Sequence, residues 1–117
     1  MKNWTRWGSF FMLTGVLAGA FGAHALKDIL SDAMKAVYET AVRYQLLHGL
    51  ALFAVAELDA RNPRPAVRFA GTAFCVGIVI FSGSLYALSL TGVRGWGAVT
   101  PLGGAAFLSG WFSLLFL

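Results

Sequence analysis

The chain has 117 residues, of which 58% are hydrophobic and 12% are charged, and its formal net charge is +4. A soluble domain carries about 25% charged residues, and a small domain has a large surface to cover. The composition therefore excludes an ordinary soluble domain and predicts a protein surrounded by lipid. The basic residues are scattered at the ends of apolar segments and form no patch, which argues against nucleic-acid binding and indicates a role in membrane orientation.

The first apolar segment, residues 7–26, contains no charged side chain. This is about the length that a helix needs to cross ~30 Å of hydrocarbon. A basic start, an apolar run and the sequence Ala23-His24-Ala25 also imitate a signal peptide with its cleavage site. Because the rest of the chain would still be a membrane protein after such a cut, we interpret the segment as a retained span. Gly15 and Gly19 predict close contact with another helix.

The second segment contains most of the charged residues. Residues 31–43 have an apolar and a charged stripe at helical spacing, which predicts an amphipathic helix at the membrane interface with Ser31 or Asp32 as its cap. The uncharged run that follows is short for a span, but flanking charges at headgroup level extend it to about 44–60. Two alternatives remain. The two segments form one long helix, or residues 44–60 do not cross and the termini lie on opposite sides.

Two further spans are predicted after a polar turn in which Asn62-Pro63 and Arg64-Pro65 end one helix and start the next. These spans cover about residues 66–91 and 98–117, and Thr100-Pro101 is typical of a helix start. The predicted fold is thus all-α: one transmembrane domain, residues 1–117, in which four spans form a bundle with an amphipathic interfacial helix between spans 1 and 2. Small residues on the later spans predict close packing there too, namely Gly77, Gly103 and Gly110.

The distribution of basic residues predicts orientation. With four spans, one side of the membrane holds Lys2, Arg6, Arg61, Arg64 and Arg68. The basic residues of the other side lie mostly beside acidic ones. Because cytoplasmic loops carry the excess of Lys and Arg, both termini are predicted to be cytoplasmic.

Four sequence segments resemble the YgdD/YwdK family of small bacterial inner-membrane proteins, whose eukaryotic relatives are small TMEM-type proteins. The resemblance covers nearly the whole chain in the same order, although Gly49 stands where an alanine is more usual. It implies a four-span integral protein of the inner membrane and implies no known activity. The segments are Gly19-Ala-Phe-Gly-Ala-His-Ala-Leu26, Tyr44-Gln-Leu-Leu-His-Gly-Leu-Ala-Leu52, Phe81-Ser-Gly-Ser-Leu-Tyr86, and Thr100-Pro-Leu-Gly-Gly104 with Gly110-Trp111.

The candidate site is a polar cluster predicted at one membrane level, formed by His24, Tyr44, Gln45 and His48. Two histidines from two helices are able to bind a metal or haem. However, no carboxylate or cysteine accompanies them, and no spacing places two ligands on one helix face. We therefore expect no metal and no cofactor. The favoured interpretation is that these residues hydrogen-bond one another and backbone carbonyls, because buried polar groups in lipid need partners. A proton relay or pH switch is the remaining role for the histidines.

Three secondary polar candidates are Ser82, Ser84 and Tyr86. They are able to bind a polar ligand or headgroup, but in spans such residues more often bond a neighbouring helix. Only Ser82 and Tyr86 share a helical face. The sequence contains no nucleophile–base pair, phosphate loop or carboxylate dyad, so no catalytic residue is predicted and an enzyme is not expected.

Two functional classes follow from these patterns. The first is a structural or accessory membrane protein that binds itself or a larger membrane protein as well as the lipid bilayer. The alternative is an oligomeric transporter or channel, or a binder of metal, haem or lipid, with the polar cluster lining a cavity. A single four-span chain is too small to enclose a pore, so the alternative requires an oligomer.

Overall fold

The protein is described by a computed structural model that covers residues 3–117. Lys2, which was used to predict orientation, lies outside the described residues. Every regular element in the described part of the chain is helical, so the all-α prediction is confirmed. A π-helical turn, Ile78–Ser82, joins α3 to α4, and a 3-10 turn, Arg94–Ala98, precedes α5. The α-helices are α1, Trp4–His24; α2, Asp32–Arg61; α3, Pro65–Gly77; α4, Gly83–Thr91; and α5, Thr100–Leu115.

Helix α2 is the single long helix that the sequence allowed as an alternative to two separate segments. The amphipathic region 31–43 and the apolar region 44–60 form one helix of 30 residues. The Ser31 hydroxyl accepts a hydrogen bond from the Met34 amide at 3.2 Å, so Ser31 rather than Asp32 caps the helix. No glycine or proline interrupts the chain between this cap and His48, and the buried stripe continues across the expected junction. The interfacial helix is therefore the N-terminal part of α2 rather than a separate element.

Helix α2 occupies the middle of the fold. Helix α1 packs mainly along α2, whereas α5 packs mainly along α3 and the π turn. The other side of α2 contacts α3, the π turn and α4. The apolar core lies between these helices and includes Phe11, Leu52, Val55, Phe74 and Phe107. Helices α1 and α5 are consequently the outer helices and expose the most surface.

Each predicted packing glycine lies against another helix. A Cβ added to Gly15 would lie 2.6 Å from the Leu46 side chain, and one added to Gly110 would lie 2.7 Å from Phe74. Because glycine has no side chain, the facing residue occupies that space and the two helices lie close together. The full set of contacts is Gly15 with Leu46, Gly19 with Val42, Gly77 with Phe107, Gly103 with Phe81, and Gly110 with Phe74.

The exterior of the protein is apolar. Leu108 and Phe116 are 72% and 71% exposed, whereas Gln45 and His48 are 5% and 2% exposed. Water would disfavour this arrangement, while lipid accepts it. Two helical stretches of the described chain, Pro65–Thr91 and Arg94–Leu115, are long and apolar enough to cross a membrane.

Candidate functional site

Three of the four residues of the predicted polar cluster lie close together on α2, and the fourth does not join them. Helices α1 and α2 are antiparallel, with Gly22 facing Tyr38 and Gly15 facing Leu46. This register places His24 beside the first turns of α2, about 14 Å along α1 from the level of Gly15. The His24 side chain is exposed and makes no hydrogen bond to a described residue. The structure thus corrects its assignment to the cluster.

Gln45 connects three helices through its side-chain amide. The Nε2 group donates to the Phe11 carbonyl at 2.9 Å and to the Thr14 hydroxyl at 2.8 Å, both on α1. The Oε1 atom accepts a hydrogen bond from the Tyr86 hydroxyl of α4 at 2.6 Å. Thr14 donates onward to the Phe10 carbonyl at 2.9 Å. Both amide hydrogens and the amide oxygen therefore have protein partners, which offsets the cost of burying this group.

His48 connects α2 to α5. Its Nε2 atom accepts a hydrogen bond from the Trp111 indole at 3.0 Å, and its Nδ1 atom lies 2.9 Å from the Tyr44 carbonyl. The indole N–H only donates and the carbonyl only accepts, so these partners assign the neutral Nδ1–H tautomer. The ring also stacks on Phe107, with centroids 3.6 Å apart and planes 8° apart. Because both ring nitrogens are engaged, neither has a free lone pair for a metal or haem iron.

Tyr44 contributes mainly its aromatic ring and its carbonyl. The ring is partly buried, 4.8 Å from the Phe81 ring and 6.3 Å from the Phe107 ring by centroid distance. Its hydroxyl makes no hydrogen bond to a described residue, and its carbonyl is the acceptor for His48. Tyr44 is therefore adjacent to the polar residues without extending their side-chain network.

The secondary candidates bond neighbouring helices. Ser82 donates to the Ala41 carbonyl of α2 at 2.7 Å, on the same side as the Tyr86 contact with Gln45. Ser84 lies on a different face and shares a hydrogen bond with the Thr100 hydroxyl at 2.6 Å. Thr100 is the first residue of α5, after Val99 at the N-cap position, and its hydroxyl bonds Ser84 and the Trp96 carbonyl rather than capping the helix.

Sequence reasoning missed three members of the buried polar system. Thr14 is a single hydroxyl within an apolar run, and Tyr38 lies in the segment interpreted as interfacial. The Tyr38 hydroxyl donates to the Ala18 carbonyl at 2.6 Å. Trp111 was named only for its family resemblance, and its indole donates to His48 at 3.0 Å. For Thr14 and Trp111 the only signal was a polar group within a long uncharged run, and for Tyr38 no such signal is present in the sequence.

A separate polar contact lies at the opposite end of α2. The Trp4 indole donates to Asp59 Oδ2 at 3.2 Å, and Arg68 approaches Asp59 Oδ1 at 3.9 Å. The Trp4 ring is buried against Gly71, where a Cβ would lie 2.6 Å from the ring. This contact places the first turn of α1, the end of α2 and the start of α3 at one end of the protein.

The Gln45–Tyr86 contact is testable with a double-mutant cycle. Gln45→Leu removes three hydrogen bonds and is expected to lower the free energy of unfolding by about 2 kcal/mol, because a hydrogen bond within a membrane protein contributes about 0.6 kcal/mol and at most about 1.7. With Tyr86→Phe we expect a coupling energy of about 1 kcal/mol. Denaturation in mixed micelles measures both. Tyr44→Phe is the matched control, and equal coupling of Gln45 to either tyrosine would contradict the assignment.

Comparison with known proteins places the chain among membrane proteins. Residues 18–104 match a family described as protein of unknown function (DUF423). The chain is 43% identical over 115 residues to a UPF0382 membrane protein of Staphylococcus haemolyticus, covering 98% of this chain and 93% of that protein. It is similar to the UPF0382 membrane protein YwdK of Bacillus subtilis, at 43% over 116 residues, covering 98% and 94%.

A more distant relative comes from a Gram-negative bacterium. The UPF0382 inner membrane protein YgdD of Escherichia coli is 38% identical over 100 residues, which covers 86% of this chain and 76% of that protein. These identities confirm the resemblance found in the four sequence segments. No solved structure matches the chain.

Proposed function

We propose, from the premise that this chain belongs to the DUF423 family and is a membrane protein like its UPF0382 relatives, that it is a structural or accessory protein of the bacterial inner membrane. The observation that carries the proposal is the distribution of polarity. The polar atoms of Gln45 and the imidazole of His48 are buried and have protein partners, while large apolar side chains cover the exterior. Such an interior holds helices together rather than binding or conducting a solute.

The proposed membrane arrangement is a four-helix bundle in which all four helical stretches cross. Helix α1 has 21 residues and α2 has 30, which correspond to about 32 Å and 45 Å of helix. Both lengths suffice for ~30 Å of hydrocarbon. The excess length of α2 places its charged first turns beyond the hydrocarbon or in a tilted helix.

The proposed orientation has both termini in the cytoplasm. The contacts of Trp4 with Asp59 and of Asp59 with Arg68 support it, since they bring the starts of α1 and α3 to one end. That end also carries Arg6, Arg61 and Arg64, which follows the positive-inside pattern. Activity of a cytoplasmic reporter fused after Leu117 is the expected result.

A catalytic role is not part of the proposal. The side-chain amide of Gln45 and the imidazole of His48 each bond other protein groups, and both ring nitrogens of His48 are engaged. A general base needs a free lone pair directed at a substrate. These existing hydrogen bonds also argue against the transporter or channel alternative, because a conduction path through the polar cluster would have to break them.

The proposed partner is another membrane protein, bound through the outer face of α5. The predicted packing glycines already contact other helices of the same chain. A contact with a partner protein therefore has to use the larger apolar side chains on the outer surface. The stretch Arg94–Leu115, which contains α5, is less buried than the other long apolar stretch, Pro65–Thr91. Leu108 and Phe112 lie on its exposed face.

A photocrosslinking experiment tests this partner. A benzophenone amino acid at Leu108, which is 72% exposed, is expected to form one discrete protein adduct in native membranes. The same probe at Leu13 of α1, which is 62% exposed, is the surface control and is expected to label lipid. The result that contradicts the proposal is lipid labelling alone at both positions, together with ion flux in proteoliposomes that His48→Ala abolishes.

A further inference from the structure

A groove lies between α1 and α2 near the turn that connects them. Its volume is about 570 Å³, within the ~300–1,000 Å³ typical of small-molecule sites. One wall is formed by the last turns of α1, where Gly19, Gly22 and Ala23 lack large side chains. The other wall is formed by the first turns of α2. We call this feature the α1–α2 groove, and it is separate from the buried polar residues described above.

The rim of the α1–α2 groove is basic. Its lining includes Lys27, Lys35 and Arg43 against one acidic residue, Glu39. The Lys35 ammonium is used within the protein, since it pairs with Asp32 at 3.3 Å and donates to the Lys27 carbonyl at 3.1 Å. No ion pair within residues 3–117 involves Lys27 or Arg43. The i,i+4 pair of Glu39 with Arg43 that the spacing allows is thus not formed, and two cations are available to an anion.

The interior of the groove is apolar. Leu26, Leu30, Val42 and Leu46 line it together with the small residues of α1. A soluble anion would leave this apolar lining facing water, whereas an acyl chain would cover it. The combination of cationic rim and apolar lining fits an anionic amphiphile.

We propose that the α1–α2 groove binds one anionic phospholipid, with the headgroup phosphate between Lys27 and Arg43 and one acyl chain along Leu30, Val42 and Leu46. Basic pockets between transmembrane helices are a recurrent form of lipid headgroup recognition. A zwitterionic phospholipid is disfavoured because Lys27 and Arg43 outnumber the one carboxylate of the lining, Glu39, so the rim keeps a net positive charge. Lipid binding in the α1–α2 groove is independent of whether the outer face of α5 binds a protein.

The test is native mass spectrometry of the full-length protein in detergent. Phosphatidylglycerol and phosphatidylcholine with identical acyl chains are the probes. We expect preferential retention of phosphatidylglycerol by the wild type. Each Lys or Arg near an anionic lipid contributes a factor of about five in affinity, so Lys27→Gln and Arg43→Gln together are expected to weaken binding about thirtyfold.

Two variants keep the test specific. Arg94→Gln removes one positive charge from an exposed turn that does not line the groove, so retention is expected to change less than twofold. Ala23→Leu fills the groove without changing any charge, and it is expected to reduce retention even if the double variant fails to fold. Millimolar inorganic phosphate is expected to leave the bound lipid in place, because it lacks an acyl chain.

Three results would overturn the proposal. The first is equal retention of the two lipids by the wild type. The second is a loss with Arg94→Gln as large as the loss with the double variant Lys27→Gln, Arg43→Gln, which would indicate a general charge effect. The third is displacement of the lipid by inorganic phosphate, which would assign the site to a soluble anion.

Discussion

Replacement of Gly103 by alanine is expected to destabilise the protein by about 3 kcal/mol, although alanine is the better helix former by ~1 kcal/mol. A Cβ at this position would lie 2.3 Å from the Phe81 amide nitrogen and 2.7 Å from its Cα. These atoms belong to the backbone of the π turn. A flexible side chain would move aside, but here the whole turn has to shift away from α5.

The affected contact is central to the packing of α5. Helix α5 packs mainly on α3 and the π turn, and Gly103 is where the two backbones approach most closely among the glycine contacts. A displaced π turn also moves Ser82, which donates to the Ala41 carbonyl. We therefore expect the loss to extend to the α2 contact.

The neighbouring glycine supplies the matched control. A Cβ at Gly104 would have its nearest contact at 4.0 Å, with the Phe81 ring. Gly104→Ala is expected to stabilise the protein by about 0.5 kcal/mol, because alanine reduces the freedom of the unfolded chain. Circular dichroism during denaturation in mixed micelles measures both variants. Equal effects of the two substitutions would show that the close approach does not determine stability.

Replacement of His48 by alanine is expected to destabilise the protein by about 3 kcal/mol. The side chain is 2% exposed and stacks on Phe107, so truncation leaves a cavity. It also leaves the Trp111 indole N–H without its acceptor in an apolar surrounding. The two costs arise together because one ring supplies both the packing and the hydrogen bond.

His48→Gln separates the two costs. A glutamine amide oxygen is able to accept from the Trp111 indole but cannot reproduce the stacking on Phe107, so we expect recovery of about 1 kcal/mol. Trp111 fluorescence and micelle denaturation measure the effect. His24→Ala is the control, and because that side chain is exposed its effect is expected within about 0.5 kcal/mol. A larger loss with His24→Ala than with His48→Ala would contradict the assignment of the two histidines.

The sequence by itself determined that lipid is the main surrounding of the protein, that the fold is all-α, and where the main helices end. Low charge content and long uncharged runs exclude water as the main surrounding, and this reasoning needs no knowledge of contacts. Asn62-Pro63 and Ser31 mark ends that the structure reproduces, because capping and helix breaking depend on the local chain. The positions of small residues also indicated where another helix could approach, since the lack of a side chain is a property of each residue alone.

Only the tertiary structure decided which polar groups meet. Sequence spacing relates residues on one helix, but the register between α1 and α2 is set by how Gly15 and Gly22 accept Leu46 and Tyr38. In that register Thr14 lies beside Gln45, whereas His24 lies far from it. The indole that donates to His48 comes from α5, 63 residues away, through packing that no local pattern encodes. The chemical identity of the polar residues is local, whereas their pairing depends on helix packing.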